Sequence, residues 1–188
     1  MKRSFLFVLL LGVSTIVACS YVRVSQDYDL AKPLPVLKSY RWLSAEQTAT
    51  GDVRVDNPLL NERIRRAIDR VLQEKGYQPE QADVADFRVN YQFSIRQKIR
   101  SDDVGGTVGF GVGTYGRHGG VAIGTGHHVS QYDEGLLVID LTDSQGNLLW
   151  RGQGTRYLPT HPKPEKTEKI YNELVEKILA QFPPENPS

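Results

Sequence analysis

From Asp86 to Ile95 the chain alternates strictly, with Phe87, Val89, Tyr91, Phe93 and Ile95 on one side and Arg88, Asn90, Gln92 and Ser94 on the other. A period of two belongs to a β-strand, and this split in polarity demands a sheet with one dry face and one wet face. A single strand buries nothing by itself, so the rest of the chain must supply both its neighbours and its cover.

Two segments carry the helical period that such a cover needs. Asn57-Pro58 opens the first: asparagine is a preferred N-cap, and proline at the first helical position gives up no intrahelical bond. Leu60, Ile64, Ala67, Ile68, Val71 and Leu72 then recur at three- and four-residue intervals, Gly76 suits a left-handed stop, and Tyr77 is placed to fold back on Leu72. The second helix follows Pro162 and Pro164, spaces Ile170, Leu174, Ile178 and Phe182 four apart, adds Val175 and Leu179, and stops at Pro183-Pro184.

Further strands are expected at Tyr21–Val24 and Ser39–Leu43, separated by a loop holding Pro33 and Pro35, with a polar surface loop from Ala45 to Asp56. Leu136 to Leu141 is apolar almost throughout, the pattern of a central strand covered on both faces or locally paired at its ends. The turn Asp143–Asn147 leads into Leu148–Gly152, which makes a hairpin. The fold class that results is α+β: a two-layer domain with an antiparallel or mixed sheet of about five strands and two helices packed on one face, the last strands forming an antiparallel meander. Phe87, Tyr91, Val138, Leu141, Ile64, Ile68, Leu174 and Ile178 are expected to share its core.

Composition narrows the function. With 188 residues the chain holds roughly one domain at the usual ~150 residues each, and 39% hydrophobic content is that of a globular chain. Lys and Arg number 23 against 22 Asp and Glu, so a net charge of +1 offers no field for a polyanion, and nucleic acid is not an expected partner. One cysteine, Cys19, excludes an internal disulfide and a cysteine-based zinc site. The polar face of the first helix carries Glu62, Arg63, Arg65, Arg66, Asp69 and Arg70, which reads either as a docking site for phosphate or lipopolysaccharide or as a solvated face with four-apart pairs Glu62–Arg66 and Arg65–Asp69. The solvated face is the expectation.

Ten of the 17 glycines lie between Gly105 and Gly126. Gly111 to Gly116 matches G-x-G-x-x-G, but no helix-forming sequence follows to meet a pyrophosphate, so a nucleotide site is not expected. The segment is read as a flexible connection at 105–126, with a loose hairpin as the other reading. His118, His127 and His128 sit in or beside it and His161 lies in a later loop, without ligand spacing or an assignable carboxylate partner. Asp133-Glu134, before the central strand, would suit a cation or proton transfer, yet adjacent acids at such a place are ordinarily solvated. No nucleophile elbow is present. The expectation is a protein with no catalytic residues, no cofactor and no metal.

At the start, Met1-Lys2-Arg3 is followed by an apolar run from Phe5 to Val17 and by Ala18-Cys19. This resembles a bacterial lipoprotein signal, 1–18, with Cys19 as the lipidated residue; an uncleaved anchor and an ordinary signal are the competing readings. The resemblance implies a diacylglyceryl group on the Cys19 sulfur, usually with an acylated amine, and two or more chains hold a protein without a basic patch. Ser20 in place of an aspartate points, by the same resemblance, to the outer membrane.

The lipobox Cys19, Leu37–Trp42, the run from Asn57 to Tyr77, Ala85-Asp86-Phe87, Glu134–Asp143, Leu149–Gly152 and Pro164–Pro184 together resemble the bacterial lipoproteins called domain of unknown function 4136. The likeness covers nearly the whole of 19–188, expected to form one periplasmic α+β domain, and it implies no catalytic residue. The functional expectation is a lipid-anchored, non-catalytic envelope protein, held in the membrane through Cys19, whose sheet edges and mobile glycine-rich segment bind another envelope component, such as an envelope protein. The alternative is a periplasmic module for a small or lipidic ligand held in an apolar cavity lined partly by Phe87, Tyr91 and Phe93.

Overall fold

The computed structural model describes residues 22–81, 84–102 and 128–184. Within them run β1 (Val22–Asp27), β2 (Ser39–Trp42), α1 (Pro58–Glu74), β3 (Gln78–Pro79), β4 (Phe87–Asp102), β5 (His128–Thr142), β6 (Leu148–Leu158) and α2 (Pro164–Leu179). The six strands form one sheet in the order β1-β6-β5-β4-β2-β3. β4, β5 and β6 are the antiparallel meander, and β1 adds antiparallel to β6. β2 pairs parallel with both β3 and β4, which makes the sheet mixed. A parallel pair needs a long crossover, and α1 supplies the one between β2 and β4.

The α+β reading therefore holds, with one strand more than expected. β3 is only two residues long and reaches the sheet because Gln78 and Glu80 N–H donate to the carbonyls of Lys38 and Tyr40 at 2.9 and 2.8 Å. Beside it, the Asp86 carboxylate accepts the N–H groups of Lys38 and Ser39 at 2.8 and 3.0 Å, tying the start of β2 to the start of β4. Those two donors hold its carboxyl below the usual carboxylate range.

α1 starts and stops as its sequence directs. The Asn57 side chain accepts the Leu59 N–H at 2.9 Å, and Gly76 takes φ +93° while Tyr77 N–H returns to the Leu72 carbonyl at 3.0 Å. α2 ends at Leu179, short of Phe182, yet Phe182 is still buried, packed on Trp150, Tyr77 and Phe87. Both helices press their apolar stripes on one face of the sheet, where Phe87, Val89, Tyr91, Phe93, Leu137, Ile139, Leu141 and Trp150 are buried with them in one core.

The central strand differs from its expectation. Leu137, Ile139 and Leu141 are buried, whereas Leu136 and Val138 are only partly so. Pleating sends successive side chains to opposite faces, and the helices cover only one. Val138 thus stands on the other face, opposite Gln92 and Gln153, and is not a core residue.

α2 can approach β6 closely because two glycines leave room. A Cβ on Gly152 would stand 2.1 Å from the Trp150 ring and 2.6 Å from Ile178, and one on Gly154 would stand 2.9 Å from Ile178 and Leu174. Trp150 is pinned, since it is fully buried and its indole N–H donates to Gln26 at 2.9 Å. Gly152→Ala is accordingly expected to lower stability by about 1–3 kcal/mol, the usual cost of overpacking, and by more than Gly154→Ala. Urea unfolding of the two variants checks this; an unchanged midpoint for Gly152→Ala would show that α2 does not rest there.

Candidate functional site

Cys19, the 1–18 segment, Gly105–Gly126 with its glycine fingerprint, His118 and His127 all lie outside the described residues. His128 opens β5, and His161 sits exposed between β6 and α2. Among the described residues no three or more His, Cys, Asp or Glu side chains group to hold a metal, and no described helix is long and apolar enough to cross a membrane.

The chief surface feature arises from unequal strand lengths. β2 leaves β4 at Val89 and β6 leaves β5 at Asp133, but β4 and β5 continue together to the pair Asp102–His128. The result is a two-stranded ribbon running past the sheet. Beyond β2, the exposed edge of β4 is first closed by a side chain: Gln47 accepts the Phe93 N–H at 2.7 Å and donates to the Phe93 carbonyl at 3.3 Å, so its amide stands in for a neighbouring strand. Because Phe93 turns its N–H outward, the two-residue period turns those of Ile95, Gln97, Ile99 and Ser101 to the same edge. None of the described strands pairs with them there. On the other edge, β5 from His128 to Tyr132 extends past β6 in the same way.

Cross-strand contacts stiffen the ribbon's root. Lys98 meets Glu134 at 2.7 Å, and the Gln131 amide donates to Gln97 at 2.9 Å. Asp133 and Glu134, adjacent in sequence, are separated by the pleat: Glu134 goes to Lys98, and Asp133 goes to Arg54 at 2.9 Å on the helix side. They do not form a joint acidic site.

The polar face of α1 is busier than a solvated surface. Arg63 and Arg66 reach Glu168 of α2 at 3.3 and 3.9 Å, and Arg70 bonds Glu176 at 2.7 Å while also meeting Glu74. Arg65 and Asp69 turn toward β2. Asp69 accepts the Tyr40 hydroxyl at 2.8 Å and the Trp42 indole N–H at 2.9 Å, and the Arg65 guanidinium lies 3.9 Å above the Trp42 ring, with a 2.7 Å bond to the Ser44 carbonyl. Burial lowers the Arg65 pKa there. These arginines bind the protein's own elements together, which leaves little of them to dock phosphate.

A cleft of about 230 Å³ opens where both helices begin, beneath the ribbon's root, with Asn57, Thr160, Thr167, Arg63 and Tyr171 among its lining and Leu60 and Ile170 in its walls. Burial pushes the Tyr171 phenol up to about 12, against the opposing charge of Arg63. This cleft is not the apolar cavity that the sequence suggested. Phe87 and Phe93 have no exposure and line none of the described clefts, while Tyr91 touches a smaller one near Asn61. Sequence reading passed over Gln47 and Tyr171, and it paired Asp69 with Arg65 where the structure gives its oxygen to Tyr40 and Trp42; the signal was an acid on the α1 face beside a strand carrying those two donors.

The pattern of the family Domain of unknown function (DUF4136) matches residues 24–184. No curated protein matches the sequence. Among solved structures, a PDZ domain protein from Parabacteroides distasonis is similar at 12% identity and a TM-score of 0.52; the likeness covers 88% of this chain, which spans only 36% of that one. The PelC dodecamer from Paraburkholderia phytofirmans is similar at 13% identity and a TM-score of 0.46, over 85% of this chain and 96% of that one. A DUF4136 family protein from Bacteroides thetaiotaomicron is similar at 14% identity and a TM-score of 0.46, over 86% and 96%. At these identities the first likeness speaks for the fold alone.

Asp69 is the one acceptor shared by Tyr40 and Trp42, so Asp69→Ala leaves two part-buried donors without it. The expected loss is about 1–3 kcal/mol in urea unfolding, with Asp69→Asn, which keeps an acceptor oxygen, losing less. Equal losses for the two variants would contradict the role given to that oxygen.

Proposed function

The chain belongs to the family Domain of unknown function (DUF4136), and from that premise we propose that it is a lipid-anchored, non-catalytic protein of the bacterial envelope that binds another envelope component. The observation that carries the reading is the β4–β5 ribbon, whose outward backbone groups have no strand beside them among the described residues. Unpaired edges of this kind accept an extended segment of a partner, with main-chain bonds supplying affinity and alternate side chains supplying choice. Arg96, exposed on β4, guards the edge against indiscriminate pairing and favours a partner strand with an acidic position, whereas Lys98 is already matched by Glu134. The anchor rests on the N-terminal sequence: a basic start, an apolar run and Cys19, with the domain facing the periplasm from the outer membrane.

Two experiments test the two halves. A photocrosslinking residue at Gln97 in intact cells is expected to give discrete adducts with an envelope component, and one at Arg66 on the helix side is not. Adducts at Arg66 and none at Gln97 would move the contact off the ribbon. Wild-type protein is expected to take up labelled fatty acid and fractionate with the outer membrane, while Cys19→Ser chains released from the signal are soluble in the periplasm. Wild-type protein that incorporates no lipid would reject the anchor.

A further inference from the structure

The cleft at the helix starts holds a hydrogen-bonding group that the fold itself leaves unused. Tyr171 is only 7% exposed, and its ring stands edge-on to Phe93 at 5.3 Å. Its hydroxyl makes no hydrogen bond to a described residue, and since Gln181 Nε2 is the fully buried side-chain atom left without a partner among them, the phenol oxygen is one that solvent in the cleft can reach. The open side of that phenol is the cleft. The start of α2, which also lines it, is uncapped: Lys163 makes no side-chain cap bond and Pro164 occupies the first turn, whereas α1 is capped by Asn57.

The lining charges are already matched. Arg54 is held by Asp52 at 2.7 Å and by Asp133 at 2.9 Å, and Arg63 is held by Glu168 at 3.3 Å. Such a cleft selects for a hydrogen-bond acceptor and an apolar body, and does not require a net anion. Leu60, Ile95, Leu158 and Ile170 supply the apolar walls. Its 230 Å³ is room for roughly eight heavy atoms, taking the ~30 Å³ that each water occupies in the liquid.

We infer that this cleft binds a small molecule ending in a carbonyl or carboxylate oxygen on a short aliphatic body, with the oxygen accepting the Tyr171 hydroxyl proton and the chain lying on Leu60 and Ile170. The site is separate from the ribbon edge and stands or falls without it.

The test uses the full chain, produced in bacterial membranes, purified in detergent and labelled with fluorotyrosine. Hexanoate and hexanamide are each expected to shift the Tyr171 resonance saturably, and hexylamine, which offers a cation and no acceptor, is not. Tyr171→Phe, followed through the Thr167 amide, is expected to weaken hexanoate about tenfold, the effect of losing one good hydrogen bond. Thr160→Trp, on the exposed rim loop, is expected to block both ligands without entering the core, so the test survives if Tyr171→Phe fails to fold. No saturable shift with either acceptor, a hexylamine shift equal to that of hexanoate, or unchanged binding in Thr160→Trp would overturn the site. Gln97 crosslinks that persist when this site fails would leave the ribbon reading intact.

Discussion

Burial of one face of β4 is the constraint from which the remaining structure follows. Phe87, Val89, Tyr91 and Phe93 are each almost wholly removed from solvent, and side chains of that size contribute roughly 1.5–3 kcal/mol apiece when fully buried. That gain requires a roof, which α1 and α2 provide, and partners on both sides, which β2 and β5 provide over the first part of the strand. The alternation ends at Ile95, where burial becomes partial, and there the roof ends too. The strand itself runs on to Asp102. The ribbon is therefore the part of β4 and β5 that pairing holds together after the core has stopped.

Much of this was legible in local sequence. α1 was readable from cap to stop because Asn57, Pro58, the apolar stripe and Gly76 each act on their immediate neighbours. The period of β4 and the Asp143 turn were readable for the same reason; Asp143 accepts the N–H groups of Gln145 and Asn147, both at 2.8 Å, and Gly146 takes the positive φ. What failed to show was anything set by a distant partner. Val138 looks like a core residue in a run of apolar neighbours, and only the one-sided roof places it outside. Gly152 and Gly154 carry no local message; their purpose lies in how closely Ile178 approaches. β3 is too short to have a period.

The candidate sites divide along the same line. The ribbon's edge was anticipated in kind, as a free strand edge, but its position depends on where β2 and β6 stop. The cleft was anticipated in the wrong place. Aromatic residues on the dry face of β4 suggested a cavity there, yet Phe87 and Phe93 are consumed in contacts with Tyr40, Tyr77, Tyr171 and Phe182. Space survives instead where the helices start and the sheet narrows. Ile95, Asp133 and Leu158 line that cleft and are also the residues at which the ribbon departs, so the two features meet at one end of the molecule.

Amide hydrogen exchange tests most directly whether that end is the working end. In the purified full chain, peptides spanning 95–102 should exchange faster than those spanning 87–94, because the outward amides of Ile95 and Gln97 have no described strand beside them while Phe93 is closed by Gln47. In isolated envelopes the proposed partner should protect the 95–102 peptides while 87–94 stays unchanged. Equal exchange of 95–102 in the two settings, with protection gained instead on the helix face, would contradict the account.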